Sequence, residues 1–535
     1  MGLLDTLKGH ARRQPDKIAL SIAGFSGQEH TRYAQLWQRV LAAADGLTNA
    51  GVRPGDRVAW LGLNDPAMLV LLYALARIGA ILLPLNYRLA QAELASITAH
   101  AGVTLIVADV THLPTARALA GQGGAVGLMA ATSLDQGWQE ARCASADVGG
   151  PKEADDPEEA QEAGNASGAS VAIGNDGLED SANAPVLLVY TSGTTGQPKG
   201  ALHTLAGLVA NCHISADAHD FSAQDHVLTV LPMFHVGGLC IQTLPALHAG
   251  ARVTLNARFD ALAWLRDVQR LRPTMSLLVP ATLRAVLERS EFESTDLSSL
   301  KLLNAGSSTI PASFIAAFHQ RGVPVCQVYG ATETGPVSIY LKKEDAMLRA
   351  GSAGRAGEGV DVRLVQPGDD ETGDTVHTSD PIGELWIRAP NLLSAYWRDP
   401  HNPAFQDGWF KSGDLARQDA EGFYWIVGRS KDMIISGGEN IYPAEIENIL
   451  ADCPLIAECA VVGMPDERWG EVAVAVVVLA PGVDMTQADV LALFDGKLAR
   501  FKHPRRVVFA DSLPKTALGK VRKDDLRELV QEMLR

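Results

Sequence analysis

The sequence contains, at residues 186–200, the run VLLVYTSGTTGQPKG. Residues 186–190 are apolar up to a final tyrosine, which is typical of a buried strand. The ten residues that follow combine glycines that free backbone N–H groups, four hydroxyl side chains and one lysine, all suited to a polyphosphate. A solvated turn needs far fewer residues, and a Walker A motif would require Gly-Lys-Ser/Thr. The sequence therefore predicts a phosphate-binding loop after a buried strand, with binding residues Thr191, Ser192, Gly193, Thr194, Thr195, Gly196 and Lys199.

Short runs of valine, leucine and isoleucine alternate with helical stretches along the rest of the chain. Such runs occur at residues 57–63, 104–108, 252–255, 276–279 and 301–304. The alternation predicts an α/β protein whose largely parallel sheets are doubly wound, with helices on both faces. At residues 383–387 and 421–427 the pattern becomes rich in strand and turn residues, and α/β character then resumes. We therefore expect large doubly wound sheets, a β-rich subdomain and a small, mobile C-terminal α+β lid.

With 535 residues, the chain is too long for one compact core. We place the boundary at residue 428, which gives an N-terminal domain at 1–428 and a C-terminal lid domain at 429–535. The segment 145–184 is rich in alanine, glycine, proline and acidic residues, and it lacks periodicity and large apolar side chains. Such a composition cannot offset the entropy cost of ordering, so we predict a disordered acidic insertion there.

Charge and cysteine usage exclude several classes of function. The net charge of −16 provides no general attraction to nucleic acid or anionic lipid. The six cysteines form neither a CxxC pair nor a zinc spacing, as expected for reduced thiols in a cytoplasmic protein. The apolar stretch 67–85 predicts a buried helix at 66–78 followed by a strand at 80–85, rather than a membrane span. We expect a cytoplasmic monomer or homodimer without a secretory signal or transmembrane segment, and without a nucleic-acid partner.

Six further runs carry residues suited to nucleotide chemistry. They are LPMFHVGG at 231–238, NAGSS at 304–308, YGATETG at 329–335, WFKSGD at 409–414, GRSKDMIISGGEN at 428–440 and LPKTALGKVR at 513–522. The carboxylate of Asp414 is acceptor-only and can bridge two hydroxyl donors. A late lysine such as Lys520 can stabilise the charge that develops when two anions react. Each run alone could be a surface turn or a structural residue, and only their joint occurrence indicates a site.

Together these runs resemble the core motifs of the adenylate-forming superfamily, which includes acyl-CoA synthetases, luciferases and the adenylation domains of peptide synthetases. The resemblance covers nearly the whole chain apart from the acidic insertion. It implies that the Tyr329 ring stacks on adenine, that Thr332 donates to the α-phosphate and that Glu333 holds Mg²⁺. It also implies that Asp414 binds the ribose hydroxyls and that Arg429 contacts the ribose or a phosphate.

The same resemblance assigns residues to the acid, the lid and coenzyme A. It implies that Lys520 is the catalytic lysine of the lid, that Lys431 is the hinge, and that Gly437 and Gly438 let a pantetheine arm pass. The resemblance further implies that His235 is a catalytic residue and lies beside the substrate carboxylate. The implied acyl pocket consists of His235, Gly237, Gly238, Asn304, Ala305, Gly306, Gly330 and Val337. The run at 304–308 departs from the Gly-Gly-Ala-Pro that the family often has there.

The function implied is an ATP-dependent ligase that joins a carboxylic acid to coenzyme A through an acyl-adenylate, with Mg²⁺ as cofactor. Apolar residues around the runs indicate an apolar acid, either an aromatic or phenylpropenoate acid or a medium- to long-chain fatty acid. One alternative is an adenylating enzyme that loads the phosphopantetheine of a carrier protein. A luciferase-like oxygenase and a non-enzymatic scaffold are further alternatives, although a scaffold would be expected to have degraded motifs and none is broken here.

Overall fold

The computed structural model describes residues 2–23, 30–122, 126–135, 182–191, 198–307, 310–366, 381–437, 439–515 and 520–534. Apart from residues 182–184, the predicted acidic insertion at 145–184 lies outside the described residues. The described part of the chain forms four sheets with helices packed against them, which confirms the predicted α/β class. The division at residue 428 stays a prediction.

Sheet 1 carries the strand of the predicted phosphate loop. Its strand order is Ala395–Tyr396, Lys199–Thr204, Pro185–Thr191, Ile81–Leu85, Arg57–Leu61, Leu105–Ala108 and Gly127–Ala130. From Pro185–Thr191 onward the neighbours are parallel. Lys199–Thr204 instead runs antiparallel to Pro185–Thr191. The loop therefore joins the two strands of a hairpin, a pairing that the sequence did not predict.

Sheet 2 is also mixed, with a parallel centre and antiparallel edges. Its strand order is Arg355–Ala356, Ile339–Tyr340, Val325–Tyr329, Leu302–Gly306, Met275–Leu278, His226–Thr229, Arg252–Leu255, Ile18–Ile22 and His30–Arg32. The parallel strands are those from Val325–Tyr329 to Ile18–Ile22. Because parallel strands end at the same edge, residues 304–307 and the run at 329–335 lie side by side.

Sheets 3 and 4 are formed by later parts of the chain. Sheet 3 contains the antiparallel strands Asp361–Val365, Ile382–Arg388, Phe405–Gln406, Trp409–Gln418 and Tyr424–Arg429. Sheet 4 contains Ile434–Ser436, Glu439–Ile441, Ile456–Asp466, Gly470–Leu479 and Arg506–Phe509.

Sheet 4 has apolar cores on both of its faces. On one face, Ala475 is fully buried in a cluster with Ile446 and Phe494. On the opposite face, Val474 and Val476 pack in a second cluster. All of these residues belong to the C-terminal part of the chain, so this part supplies its own apolar contacts.

Helices pack against the sheets in the described part of the chain. The helices are Leu3–Arg13, Tyr33–Asn49, Pro66–Ile78, Gln91–Ala101, Leu113–Gln122, Leu205–His219, Val236–Gly238, Leu244–His248, Ala261–Leu271, Pro280–Leu287, Ala312–Gln320, Lys343–Ala346, Pro443–Ala451, Gln487–Ala492 and Lys523–Met533. A π-helical turn, Leu239–Thr243, joins two of them. The predicted helix at 66–78 is confirmed, with Asp65 as its N-cap and Gly79 ending it in the left-handed region. No helix in the described part of the chain combines the length and apolar character that a membrane span requires.

Two fully buried asparagines tie the helices to the turn that follows sheet 2. Asn391 Nδ2 donates to the backbone oxygens of Thr334 (2.7 Å) and Val337 (2.8 Å). Asn211 Oδ1 accepts from Val337 N at 3.3 Å, and Asn211 Nδ2 donates to Cys240 O at 2.7 Å. Because these backbone groups have no access to water, the two side chains take the place of secondary-structure hydrogen bonds.

We expect Asn391→Ala to lower the free energy of unfolding by about 2–4 kcal/mol, because it leaves two buried carbonyl groups without a donor. Urea denaturation followed by tryptophan fluorescence measures the change. Asn49→Ala, at an exposed asparagine, is the control and should change stability by less than about 0.5 kcal/mol. An equal, small effect of both substitutions would contradict the role given to Asn391.

Candidate active site

The base of the predicted phosphate loop is closed by strand pairing. Thr191 and Lys199 are register partners at the end of the hairpin, and Trp397 N donates to Gly200 O at 2.7 Å. Ser192, Gly193, Thr194, Thr195 and Gly196 lie outside the described residues. The two ends of the loop are therefore held together, while the binding roles of its residues stay predictions.

Lys199, Tyr396 and Glu333 lie together beside this loop. The Lys199 ammonium is 5.3 Å from the centre of the Tyr396 ring, within the range of a cation–π contact. Tyr396 Oη donates to Glu333 Oε1 at 2.8 Å. Burial and the Glu333 carboxylate both raise the pKa of Tyr396, so its hydroxyl keeps the proton that it donates. This arrangement brings a cation and an oriented carboxylate to one place.

Thr332 and Glu333 are held by a short turn that follows the strand Val325–Tyr329. The turn Thr332–Thr334 is 3₁₀-helical, and Thr332 is buried. Leu393 N donates to Glu333 O at 2.8 Å, which links the turn to the segment that carries Tyr396. The sequence analysis missed Tyr396, because a single aromatic residue in a turn carries no local signal of a site.

Tyr329, Asp414 and Arg429 form a second group. Tyr329 Oη donates to Asp414 Oδ2 at 2.8 Å, and Arg429 Nε donates to Asp414 Oδ1 at 2.7 Å. Although burial opposes it, the Asp414 carboxylate raises the pKa of Arg429 above its usual value. Both carboxylate oxygens of Asp414 are thus engaged, yet each keeps a second lone pair that can accept from a ribose hydroxyl.

Lys520 approaches the same region from the C-terminal part of the chain. Burial among protein atoms lowers the pKa of Lys520, as does the nearby Arg429 cation, while Asp414 opposes the shift. Burial also lowers the pKa of His235 to about 4, with a smaller contribution in the same direction from the Lys520 cation. His235 is therefore neutral near pH 7, and its Nδ1 accepts from Gly237 N at 3.0 Å. The structure places Lys520 within electrostatic range of both His235 and Arg429.

The glycines assigned to the acyl pocket make close contacts with the protein backbone. A Cβ atom on Gly238 would lie 2.3 Å from Pro232 O, one on Gly306 would lie 2.7 Å from Val328 O, and one on Gly330 would lie 1.7 Å from Pro336 O. A Cβ atom on Gly237 would lie 3.0 Å from His235 Nδ1. Gly238, Gly306 and Gly330 therefore require glycine for the packing of the chain itself, whereas Gly237 is close only to the His235 side chain.

The remaining acyl-pocket residues divide between the two faces of sheet 2. Val337 is fully buried in an apolar cluster with residues that include Leu277 and Val328. Asn304 is the register partner of Leu277 and faces the same side. Ala305 packs in a different cluster on the opposite face of the sheet. The structure thus brings Asn304 and Val337 to one face and places the Ala305 side chain on the other.

The predicted hinge Lys431 lies in the 3₁₀ turn Ser430–Asp432, and Gly437 follows the strand Ile434–Ser436. Lys431 Nζ is 3.7 Å from Asp524 Oδ2, and Arg527 Nη2 is 3.0 Å from Asp432 Oδ1. Gly437 has a positive φ of 61°, and a Cβ atom there would lie 2.7 Å from the Trp469 ring. Gly438 lies outside the described residues.

Comparisons with known proteins identify the origin of this arrangement. The profile of the family described as "AMP-binding enzyme" matches residues 7–397, and that of its C-terminal domain matches residues 445–520. The indoleacetate–CoA ligase of Aromatoleum aromaticum is 43% identical over 99% of this chain and 98% of its own. The feruloyl-CoA synthase of an Amycolatopsis species is 38% identical over 97% of this chain and 96% of its own.

A solved structure shows the same similarity at the level of the fold. The ATP-bound MatB of Rhodopseudomonas palustris superimposes with a TM-score of 0.83 at 30% identity and covers the whole of both chains. The predicted resemblance to the adenylate-forming superfamily is therefore confirmed.

We expect Tyr396→Phe to weaken binding of Mg·ATP by about tenfold, because the substitution removes one hydrogen bond to the Glu333 carboxylate. Isothermal titration measures the dissociation constant. Tyr424→Phe, at a buried tyrosine of sheet 3, is the control and should leave the dissociation constant unchanged. Equal affinities of Tyr396→Phe and the unmodified protein would show that the contact does not position Glu333.

Proposed function

The chain belongs to the AMP-binding enzyme family and is an AMP-forming acid–CoA ligase, and we propose that it acts on an aromatic acid in two steps at one site. The acid is apolar, and ATP is its co-substrate. The observation that carries the proposal is the convergence of Lys199 with Glu333, Tyr329 with Asp414, and His235 with Lys520. These pairs lie at the ends of different elements. The first pair suits the phosphates, the second the nucleoside and the third the carboxylate of the acid.

In the first step, an oxygen of the acid carboxylate attacks the α-phosphorus of ATP. The bond between that phosphorus and the bridging oxygen breaks, and pyrophosphate leaves with the bonding electrons. In the second step, the CoA sulfur attacks the acyl carbonyl carbon of the acyl-adenylate. The thiol loses its proton, the bond to the phosphate oxygen breaks, and AMP leaves.

Residues of two sheets bind the nucleotide in this proposal. The ring of Tyr329 lies against the adenine, and Asp414 accepts from the ribose hydroxyls while Arg429 fixes its orientation. The loop from Thr191 to Gly196 presents backbone N–H groups and hydroxyls to the phosphates, and Lys199 adds a positive charge beside them. The hydrogen bond from Tyr329 to Asp414 couples the base and ribose contacts.

The residues present fit the Mg²⁺ that the family implies. Within the described residues, no group of three or more metal-ligating side chains occurs. A site with a single carboxylate suits Mg²⁺, because this ion is commonly bound by one or two carboxylates together with substrate phosphates and water. Tyr396 orients Glu333 through Oε1, and Oε2 can ligate the ion. Bound there, Mg²⁺ would neutralise charge on the phosphates.

Three residues act on the reacting groups. Lys520 donates to the oxygens between the carboxylate and the α-phosphate, where two anions meet and negative charge concentrates. Thr332 donates to the α-phosphate from the turn after sheet 2. His235 is neutral, so it can donate one hydrogen bond to the carboxylate without a proton being transferred.

The second step requires that Lys520 leave and that CoA enter. We propose that the lid rotates about Lys431 and that Gly437 and Gly438 then border the pantetheine arm. Trp469 packs against Gly437 in the conformation described, so this border has to open for the arm to pass. The relatives support free CoA as the acceptor, because they are named as a CoA ligase and a CoA synthase. ATP, CoA and the free thiols among the described cysteines are consistent with a cytoplasmic enzyme.

An aromatic acid is favoured over a fatty acid by two relatives. The relatives that are 43% and 38% identical are named for indoleacetate and ferulate, whereas the FadD13 ligase of Mycobacterium tuberculosis, named for long-chain fatty acids, is 34% identical. The apolar cluster around Leu277, Val328 and Val337 provides the surface on which a ring can pack.

We expect Lys520→Ala to slow acid-dependent pyrophosphate release by about 100- to 1,000-fold, since one transition-state donor is lost. The same variant should still convert a supplied acyl-adenylate to the CoA thioester, because Lys520 has left the site in the second step. The two half-reactions are measured separately by pyrophosphate release and by thioester formation.

Lys515→Ala is the control for this substitution, because Lys515 pairs with Glu458 on the surface. It should leave both half-reactions unchanged. Equal losses of both half-reactions in Lys520→Ala would contradict the lid rotation. A requirement for a holo carrier protein in place of free CoA would instead favour the carrier-loading alternative.

The pH dependence of the first step should follow Lys520. The lysine is active as a cation, and its pKa is lowered from the usual 10.5, so activity is present at lower pH and falls as pH rises through this lowered value. Lys520→Arg retains its charge, so its rate should persist to higher pH. Pyrophosphate release without CoA measures both profiles free of thiol ionisation. If the pH profiles of the unmodified enzyme and of Lys520→Arg fall at the same alkaline pH, Lys520 is excluded as the titrating group.

A further inference from the structure

The π-helical turn Leu239–Thr243 holds a buried amide. It begins four residues after His235, and π-turns are frequent at functional sites. Gln242 is 3% exposed, and its Nε2 donates to Asn304 Oδ1 at 2.9 Å. Its Oε1 has no hydrogen-bond partner among the described residues. Gln242 therefore presents a buried acceptor without a donor.

A second buried acceptor lies at the end of the helix Leu205–His219. The His219 ring is fully buried, and burial lowers its pKa to about 4, so it is neutral at pH 7. Nδ1 donates to Ser215 O at 2.7 Å, since the Ser215 hydroxyl is used in donating to Ile241 O at 2.5 Å. The proton on Nδ1 leaves Nε2 as an acceptor, and this atom faces the side chain of Asn304, which Gln242 also contacts.

Both acceptors border the apolar cluster on the helix-covered face of sheet 2. Their chain neighbours Ala218 and Ile241 belong to that cluster, as does Leu277, the register partner of Asn304. Gln242 lies seven positions after His235 along a helical stretch, so the two residues are separated by a helical rise of about 10 Å. A carboxylate beside His235 and a group beside Gln242 are therefore separated by about the length of an aryl acid.

We propose that the acid recognised by this enzyme carries a hydrogen-bond donor on its aromatic ring, an N–H or O–H that Gln242 Oε1 accepts. This inference rests on the proposed function and names its specificity-determining residue. A fatty acid offers no such donor, and neither does an unsubstituted aryl ring. When an apolar analogue binds in a site built for a polar group, the polar groups of the site lose their hydrogen-bond partner. The enzyme therefore rejects the analogue.

The test compares acids that differ only in the donor. Indole-3-acetate is paired with benzothiophene-3-acetate, in which sulfur replaces N–H, and 4-hydroxycinnamate is paired with 4-methylcinnamate. For the unmodified enzyme, in at least one pair, we expect kcat/KM for the acid that carries the donor to be about 100-fold higher than for its analogue. Gln242→Leu should reduce that ratio to less than about threefold, chiefly through loss of activity on the donor acid.

Gln224→Leu makes the same substitution at an exposed glutamine and should keep the ratio of the unmodified enzyme. Conversion of both members of each pair at equal kcat/KM by the unmodified enzyme would overturn the inference and leave the proposed function intact. Absence of AMP formation with every acid would instead contradict the proposed function. The comparison in the unmodified enzyme decides the question even if Gln242→Leu does not fold.

Discussion

A carboxylate and a triphosphate repel each other, and the proposed reaction requires them to meet at one phosphorus atom. The groups that offset this repulsion come from separate parts of the chain: Lys199 lies beside Tyr396, Arg429 is bound to Asp414, and Lys520 belongs to the C-terminal part. Lys199 and Arg429 are each in contact with a residue from another segment. The site therefore depends on how the sheets are joined, and the buried asparagine contacts near sheet 2 contribute to that joining.

Much of the fold could be predicted from the sequence because its strands are short apolar runs and its helices have clear ends. The helix Pro66–Ile78 is an example, with an aspartate before it and a glycine after it. The sequence analysis missed the hairpin that Lys199–Thr204 forms with Pro185–Thr191, because it assigned the intervening residues only to phosphate binding. The pairing of the same strand with the distant Ala395–Tyr396 could not be predicted. That pairing depends on contacts between segments nearly 200 residues apart, which no local pattern encodes.

The candidate site shows the same division. Residues in contiguous runs, such as Glu333 and Asp414, could be proposed from the sequence, because their runs resemble core motifs of the superfamily. Tyr396, Asn391 and Gln242 could not, since each acts through a contact made only in the folded chain. The resemblance assigned several glycines to the acyl pocket, whereas the atoms nearest to a Cβ at most of these positions belong to the protein backbone.

The ion pairs around the predicted hinge differ in their contact with water. Lys431 and Asp524 have side chains that are 45% and 66% exposed, whereas the Asp432 side chain, bound by Arg527, is 10% exposed. Dissolved salt screens exposed pairs much more than buried ones. Ionic strength therefore weakens the outer pair selectively, so in the proposed lid rotation the contact of Lys431 with Asp524 would respond to the salt concentration of the medium, while that of Asp432 with Arg527 would change little.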